Sequence, residues 1–142
     1  MVGAIAVSMA GVNDHEELDV WKLCNELEES LAPVLRRAEF GREPSLQGQM
    51  IRASERLCPN IAEGFSRYYP RDNAKFVRIA KGSLSELIDQ LVRARSRRVI
   101  SADEEARFTR LARRARGAAT GYVRYLESTV EPRPPSDRRR GR

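Results

Sequence analysis

The chain has 142 residues, enough for one domain whose hydrophobic core needs neither disulfides nor a structural metal. Aromatic residues make up only 6% of the chain and charged residues 32%, a composition typical of a helical bundle instead of a sheet protein. Two cysteines, Cys24 and Cys58, and one histidine, His15, are too few for a disulfide framework and lack any recognised metal-ligand spacing. We expect two free thiols and no cofactor.

The net charge of +6 is unevenly distributed along the chain. Residues 14–39 carry eight acids and three bases, whereas residues 42–98 carry twelve bases and six acids. An acidic first helix followed by a basic remainder favours an oriented surface for a polyanion, because Lys and Arg supply most non-specific affinity for phosphate. Of the 26 basic residues 23 are arginine, a bias that a GC-rich genome would also produce.

Residues 1–13 are small and apolar but have neither the basic start of a signal peptide nor the length of a membrane span. We interpret them as a disordered leader, within which Met9 is an alternative start. No other apolar run approaches the roughly 18 residues that a membrane helix requires. The sequence therefore predicts a soluble, cytoplasmic protein that does not enter a membrane.

The first two predicted helices are both marked by an internal proline. In the first, Pro33 is expected to kink or restart the helix near Ala32. Its apolar residues recur every three or four positions, as in a helix packed lengthwise on others: Val20, Cys24, Leu27, Leu31, Val34 and Ala38. The second helix is predicted from about residue 45 to residue 67, with an interruption at Pro59. Its inner side comprises Leu46, Met50, Ala53, Leu57, Ile61 and Gly64 or Phe65.

The third helix is predicted from about residue 73 to residue 97, with Asp72 as its N-cap. It has the broadest apolar face, made of Phe76, Val77, Ile79, Ala80, Ser83, Leu84, Leu87, Ile88, Leu91 and Val92. Ser101 and Glu104 have the spacing of a capping box at the start of the fourth helix. That helix has the inner face Phe108, Leu111, Ala115, Ala118, Tyr122 and Leu126.

Four helices with short connections predict an all-α fold, an antiparallel up-down-up-down four-helix bundle over residues 14–130. Residues 131–142 are rich in arginine and proline and contain too little apolar surface to order themselves. We predict a disordered basic tail there.

Two stretches place glycine and charge inside predicted helices, at residues 60–67 and 80–87. Glycine costs about 1 kcal/mol relative to alanine within a helix, so Gly64 and Gly82 predict the close approach of another backbone. The small Ser83 would assist that approach, with Glu86 on the same helix.

Asn60, Glu63 and Arg67 share one helical face beside Gly64. We interpret this group as a network that orients the second helix against the third or against a neighbouring subunit. The alternative is a polar patch that binds a partner. No nucleophile or second acid stands at a catalytic spacing from Glu63, so we predict no catalytic residue and no enzyme.

Basic side chains spaced three or four residues apart form rows that lie mostly off the apolar faces. The rows are Arg52 and Arg56; Arg71, Lys75 and Arg78; Arg93 and Arg97; and Arg107, Arg110 and Arg114. Such rows either follow a phosphate backbone or form a solvated surface with ion pairs, for example between Asp89 and Arg93. We predict a non-enzymatic protein that binds RNA or DNA mainly through phosphate contacts. The alternative is an adaptor or scaffold that binds a protein through its acidic first helix.

Residues 18–100 resemble a known family in the order and spacing of several motifs. The motifs are Leu18 to Trp21; Leu46, Gln49, Arg52 and Ala53; Asn60 to Gly64 with Arg67; Phe76 and Ala80; and Gly82 to Leu87. They resemble the four-helix-bundle family first associated with intervening sequences in bacterial 23S ribosomal RNA genes. That family is similar to the accessory variability determinant of diversity-generating retroelements, a basic protein that binds nucleic acid and works with a reverse transcriptase. The resemblance implies a homopentamer and, as a candidate partner, a reverse transcriptase.

Overall fold

The computed structural model describes residues 12–130, which form five α-helices and two short 3-10 segments and contain no β-strand. The α-helices are α1 (Asp19–Leu35), α2 (Pro44–Glu55), α3 (Leu57–Phe65), α4 (Pro70–Ser96) and α5 (Ala102–Ser128). The 3-10 segments are His15–Glu17 and Ala38–Arg42. The all-α prediction is confirmed for these residues. The predicted leader and tail lie outside them, apart from Val12 and Asn13.

Helix α1 runs through Pro33 without a restart and ends two residues later, at Leu35. Proline removes one backbone hydrogen bond, but in the last turn few further bonds depend on it. The apolar residues predicted to face the core from the first helix are buried as far as Val34. Ala38, the last of them, is exposed and lies in the following 3-10 segment. Phe40 in that segment is fully buried and adds a large side chain to the core.

The second predicted helix is interrupted, and the break lies at Arg56, between α2 and α3. Pro59 has no amide hydrogen to donate to the carbonyl oxygen of Glu55, so the regular ladder stops there. The side-chain amide of Asn60 donates to the carbonyl oxygen of Arg56 at 2.7 Å, which satisfies a second backbone acceptor at the break. The missing amide hydrogen of Pro59 therefore leads to the break at Arg56, three residues before the proline.

Helix α4 begins at Pro70, so the prediction of Asp72 as its N-cap is wrong. Proline is favoured in the first helical position because its fixed φ suits the helix and its missing amide hydrogen has no partner there. Asp72 lies in the first turn, 3.8 Å from Lys75 Nζ. Ile79 and Val92, expected on the apolar face, are about half exposed.

The capping box at the start of α5 is confirmed. The Ser101 hydroxyl accepts from the amide of Glu104 at 3.1 Å, and Glu104 Oε1 accepts from the amide of Ser101 at 3.0 Å. Glu104 also binds Arg37, with 2.6 Å between Oε2 and Nη2. These contacts hold the pKa of the Glu104 carboxyl below its ordinary value, and they fix the start of α5 against the segment after α1.

The helices enclose one core, with α1 and α4 at opposite corners. Helix α4 packs on α2, α3 and α5, and α1 packs on the same three helices. The hydrogen bonds that join α4 to α5 include Asn73 Nδ2 to Tyr122 Oη at 2.8 Å, Arg116 Nη1 to Ser85 Oγ at 3.3 Å, Arg95 Nη1 to Glu105 Oε2 at 3.1 Å, and Arg78 Nη2 to Glu127 Oε1. No helix in residues 12–130 has both the length and the apolar character needed to cross a membrane.

Gly64 is buried where α3 crosses α4. A Cβ at this position would lie 2.6 Å from Asn73 Oδ1, 2.9 Å from the carbonyl oxygen of Asn73 and 3.0 Å from Phe76 Cβ. Real Cβ atoms do not approach backbone and side-chain atoms so closely, so only glycine fits this crossing. The predicted close approach of a backbone at Gly64 therefore occurs, against the first turns of α4.

The close approach of another backbone predicted at Gly82 does not occur among residues 12–130. Gly82 is exposed, and a Cβ there would meet no atom of the described residues within 4 Å. The reason is that α3 contacts the beginning of α4, near Asn73 and Phe76, two turns before Gly82. Ser83, the neighbour of Gly82, is buried and faces the core.

Replacement of Gly64 with Ala should lower the free energy of unfolding by about 1–3 kcal/mol, because the new methyl group overlaps Asn73. The matched change Gly82→Ala should leave it unchanged or raise it by up to about 1 kcal/mol, because alanine is the better helix former and the site is open. Urea unfolding followed by circular dichroism measures both. An equal loss of stability in the two variants would contradict the close packing of α3 on α4 at Gly64.

Glu104→Gln should lower the free energy of unfolding by about 0.5–1 kcal/mol at neutral pH, because it removes the charge that binds Arg37. Since the folded pKa of Glu104 lies below the ordinary 4.5, the stabilisation is complete above that pH and disappears as the pH falls through the lowered value. The difference between the two proteins should vanish in acid. Asp103→Asn, in the same exposed turn, is the control, and a pH-independent difference for Glu104→Gln would contradict the assignment.

Candidate nucleic-acid interface

The structure divides the predicted basic rows into paired and unpaired side chains. Four predicted residues form ion pairs: Lys75 with Asp72, Arg78 with Glu127, Arg93 with Asp89 at 2.6 Å, and Arg97 with Glu43 at 3.5 Å. A paired guanidinium must give up its carboxylate before it binds a phosphate. Of the two alternatives for these rows, a solvated surface with ion pairs therefore fits better than a surface that follows a phosphate backbone.

Five other predicted residues form no ion pair with a carboxylate of residues 12–130: Arg52, Arg56, Arg107, Arg110 and Arg114. All five are exposed. The remaining member of the set, Arg71, has its guanidinium carbon 6.0 Å from the centroid of the Tyr69 ring. The unpaired residues fall into two groups, one beside α2 and one on α5.

The first group lies in a groove of about 310 Å³ between α2 and α4, lined by Gln49, Arg52, Arg56, Glu86, Asp89, Gln90 and Arg93. The two predicted rows that contain Arg52 and Arg93 therefore meet there. Glu86 and Asp89 lie in the same groove and offset much of the positive charge. Gln90 is buried, and its Oε1 has no hydrogen-bond partner among the described residues.

The second group lies where α5 meets α1. Arg107, Arg110 and Arg114 line a hollow of about 270 Å³ with Glu26 and Ser30 of α1. The guanidinium of Arg107 lies 4.7 Å from the centroid of the buried Phe108 ring. One carboxylate faces three unpaired arginines here, so the hollow has a positive excess.

Sequence reasoning missed three further arginines of α5: Arg113, Arg116 and Arg124. Arg116 donates to Ser85, and Arg124 lines a groove of about 570 Å³ between α4 and α5. None of the three forms an ion pair with a carboxylate in the described part of the chain. The available signal was composition, because residues 106–126 contain six arginines and no acid. Spacing was a second signal, because Arg113 lies three residues after Arg110 and three before Arg116.

We name these six side chains the arginine face of α5: Arg107, Arg110, Arg113, Arg114, Arg116 and Arg124. The helix turns by about 100° per residue, so they fan over the half of α5 that is opposite the core residues Phe108, Ala115 and Ala119. At about 1.5 Å per residue the face is about 25 Å long. The two rows that contain ion-paired residues, Lys75 with Arg78 and Arg93 with Arg97, are shorter and have fewer charges without a carboxylate partner.

The motif at residues 60–67 makes its contacts within the chain. Arg67 Nη2 donates to Glu63 Oε1 at 2.7 Å, and its guanidinium lies 4.7 Å from the centroid of the Phe76 ring. Asn60 supports the break at Arg56. These side chains connect the end of α3 to the first turns of α4, whereas Glu86 lies apart from them in the groove between α2 and α4.

The two cysteines are free thiols. Burial raises the pKa of Cys24 to about 12 and also raises the pKa of Cys58, with Glu28 nearby as a further cause in both cases. A thiol that stays protonated is a weak nucleophile and a weak metal ligand. Among residues 12–130, no three His, Cys, Asp or Glu side chains lie close enough to hold a metal ion.

Comparison with known proteins supports the resemblance found in the sequence. The profile of the 23S rRNA-intervening sequence protein family matches residues 16–119. The match includes α1 to α4 and much of α5, together with the Gly64 and Gly82 motifs. No curated protein matches the chain significantly. Because the family profile covers most of its length, this chain belongs to the 23S rRNA-intervening sequence protein family.

Proposed function

We propose that the protein is a non-enzymatic nucleic-acid-binding bundle, and that the arginine face of α5 is its principal contact surface. The observation that carries this proposal is the set of six α5 arginines without an ion pair to any carboxylate of residues 12–130. Five of the six are exposed and Arg116 is half-buried, and no carboxylate there neutralises their charge. Phosphate contacts supply most of the affinity of sequence-independent binding. A family named after an rRNA-intervening sequence fits an association with RNA.

The unpaired Arg52 and Arg56 form a secondary contact in this proposal. They lie on the opposite side of α4 from α5, in the groove that also contains Glu86 and Asp89. The acids weaken the local attraction for a polyanion. The ion-paired Lys75, Arg78, Arg93 and Arg97 contribute least, because each already has a carboxylate partner.

For assembly, we propose an antiparallel up-down-up-down bundle that forms a homopentamer in the cytoplasm. The order of the contacts supports the antiparallel arrangement, because residues 73, 85 and 95 of α4 meet residues 122, 116 and 105 of α5. Ile79 and Val92, each about half exposed on α4, offer apolar surface for another subunit. The pentamer and a reverse transcriptase partner follow from the family resemblance. A monomeric mass in light scattering would contradict the assembly.

An adaptor that binds a basic protein through α1 is the second candidate. Asp19, Glu26 and Glu29 form no ion pair with a base among residues 12–130, so α1 presents unpaired negative charge. This surface would attract a basic partner. Capture of the same partner after nuclease treatment, by a protein without nucleic-acid affinity of its own, would favour the adaptor.

Replacement of Arg107, Arg110 and Arg114 by Gln should weaken binding to RNA and DNA and reduce the slope of log K against log salt by about 2–3, about one per lost phosphate contact. Fluorescence anisotropy across a salt series, with nuclease-treated protein and labelled oligonucleotides, measures both quantities. The reason is the loss of three exposed charges that have no ion-pair partner in the part of the chain that the structure describes.

The matched control replaces the ion-paired Arg78, Arg93 and Arg97 by Gln, which removes the same net charge. This control should change the affinity, and the slope of log K against log salt, much less than the α5 triple variant does. If both triple variants weaken binding equally, net charge alone accounts for binding and α5 has no special role. If neither changes it, the arginine face is not the contact surface.

A further inference from the structure

We infer that the nucleic acid is double-helical and that α5 lies along one of its grooves, with arginines on the two sides of the helix contacting the two strands. This inference rests on the proposed function and specifies its ligand. Three features of the arginine face support a double helix as the ligand: its convex shape, its dimensions, and the lack of an exposed aromatic ring within it.

The arginine face is convex and carries charge on both sides of α5. Arg107 and Arg114 lie on the side of α1, where they line the hollow with Glu26 and Ser30. Arg116 and Arg124 lie on the side of α4, beside Ser85. A convex element with cations on two sides matches a concave ligand with anions on two walls, and the phosphates of the two strands form such walls.

The dimensions agree with a groove. A helix with its side chains is about 10–12 Å wide, and the major groove of B-form DNA is about 12 Å wide and about 8.5 Å deep. One half of α5 is packed against the core, so only the outer half enters. Phosphates on the rims come within reach, while base edges on the floor do not. The wide and shallow minor groove of A-form RNA admits the same convex surface.

The arginine face lacks the aromatic surface on which proteins commonly stack unpaired bases. The three aromatic residues of α5 are held in the core or packed against it: Phe108 and Tyr122 are buried, and Tyr125 is half-buried. Tyr68, the exposed aromatic side chain among residues 12–130, belongs to the turn between α3 and α4. A single strand would therefore gain charge contacts on α5 but would meet no fully exposed aromatic ring there.

The first test compares four labelled ligands of equal length and at equal salt: double-stranded and single-stranded RNA, and double-stranded and single-stranded DNA. At least one duplex should bind about tenfold or more tightly than both single strands. The better duplex identifies the groove geometry. Equal or tighter binding of single strands would overturn the inference and leave the proposed function intact, whereas no binding of any ligand would overturn both.

The second test removes each side of the face separately. The double variants Arg107→Gln with Arg114→Gln, and Arg116→Gln with Arg124→Gln, should each lower duplex affinity by roughly tenfold, because each removes two phosphate contacts. The ion-paired Arg93 and Arg97, replaced together by Gln, serve as a control with the same charge change. Loss of affinity from one side only would show that α5 follows one strand and would overturn groove binding.

Circular dichroism and light scattering of each variant show whether fold and mass are unchanged. A change in mass for either α5 variant would make this face a contact between subunits and would also overturn the inference.

Discussion

The absence of a side chain at Gly64 is the constraint on which the arrangement of the helices depends. It lets α3 lie directly on the first turns of α4, where no Cβ would fit beside Asn73 and Phe76. Asn73 then donates to Tyr122 in the buried interface with α5. Arg67 closes the same junction from outside by lying over the Phe76 ring. One close contact thus determines how α3, α4 and α5 meet, and therefore which side of α5 faces outwards.

The character of the exposed surface follows from that orientation. The inner side of α5 contributes Phe108, Ala115, Tyr122 and Leu126 to the core, so its arginines project from the other side. At the two ends of this stretch, Glu105 pairs with Arg95 and Glu127 with Arg78, and both pairs hold α5 against α4. The carboxylates of α5 that lie nearest to its arginines are therefore engaged with α4, which leaves the arginine face positive along about 25 Å. The ion pairs that stabilise the bundle therefore engage basic residues of α4 and leave the arginines of α5 available to bind phosphates.

Local patterns in the sequence were sufficient for the helices, the capping box at Ser101 and the glycine crossing at Gly64. They failed where the answer depended on which helix lies opposite a residue. Gly82 has the same local context as Gly64, but no backbone of residues 12–130 lies over it. Helix α4 begins at Pro70, three residues before the predicted start, because proline at the first helical position is a stronger signal than Asp72 as an N-cap. The basic rows could not be ranked from spacing alone, since the carboxylates of Glu43 and Glu127 that pair with Arg97 and Arg78 are distant in sequence.

The most direct test of the central claim is residue-by-residue protection of arginines from phenylglyoxal, read by mass spectrometry with and without bound nucleic acid. If the arginine face of α5 is the contact surface, Arg107, Arg110, Arg113 and Arg114 lose reactivity when nucleic acid binds, while the ion-paired Arg93 at the end of α4 and Arg97 just after it keep theirs. Protection of Arg93 and Arg97 with unchanged reactivity on α5 would contradict the account.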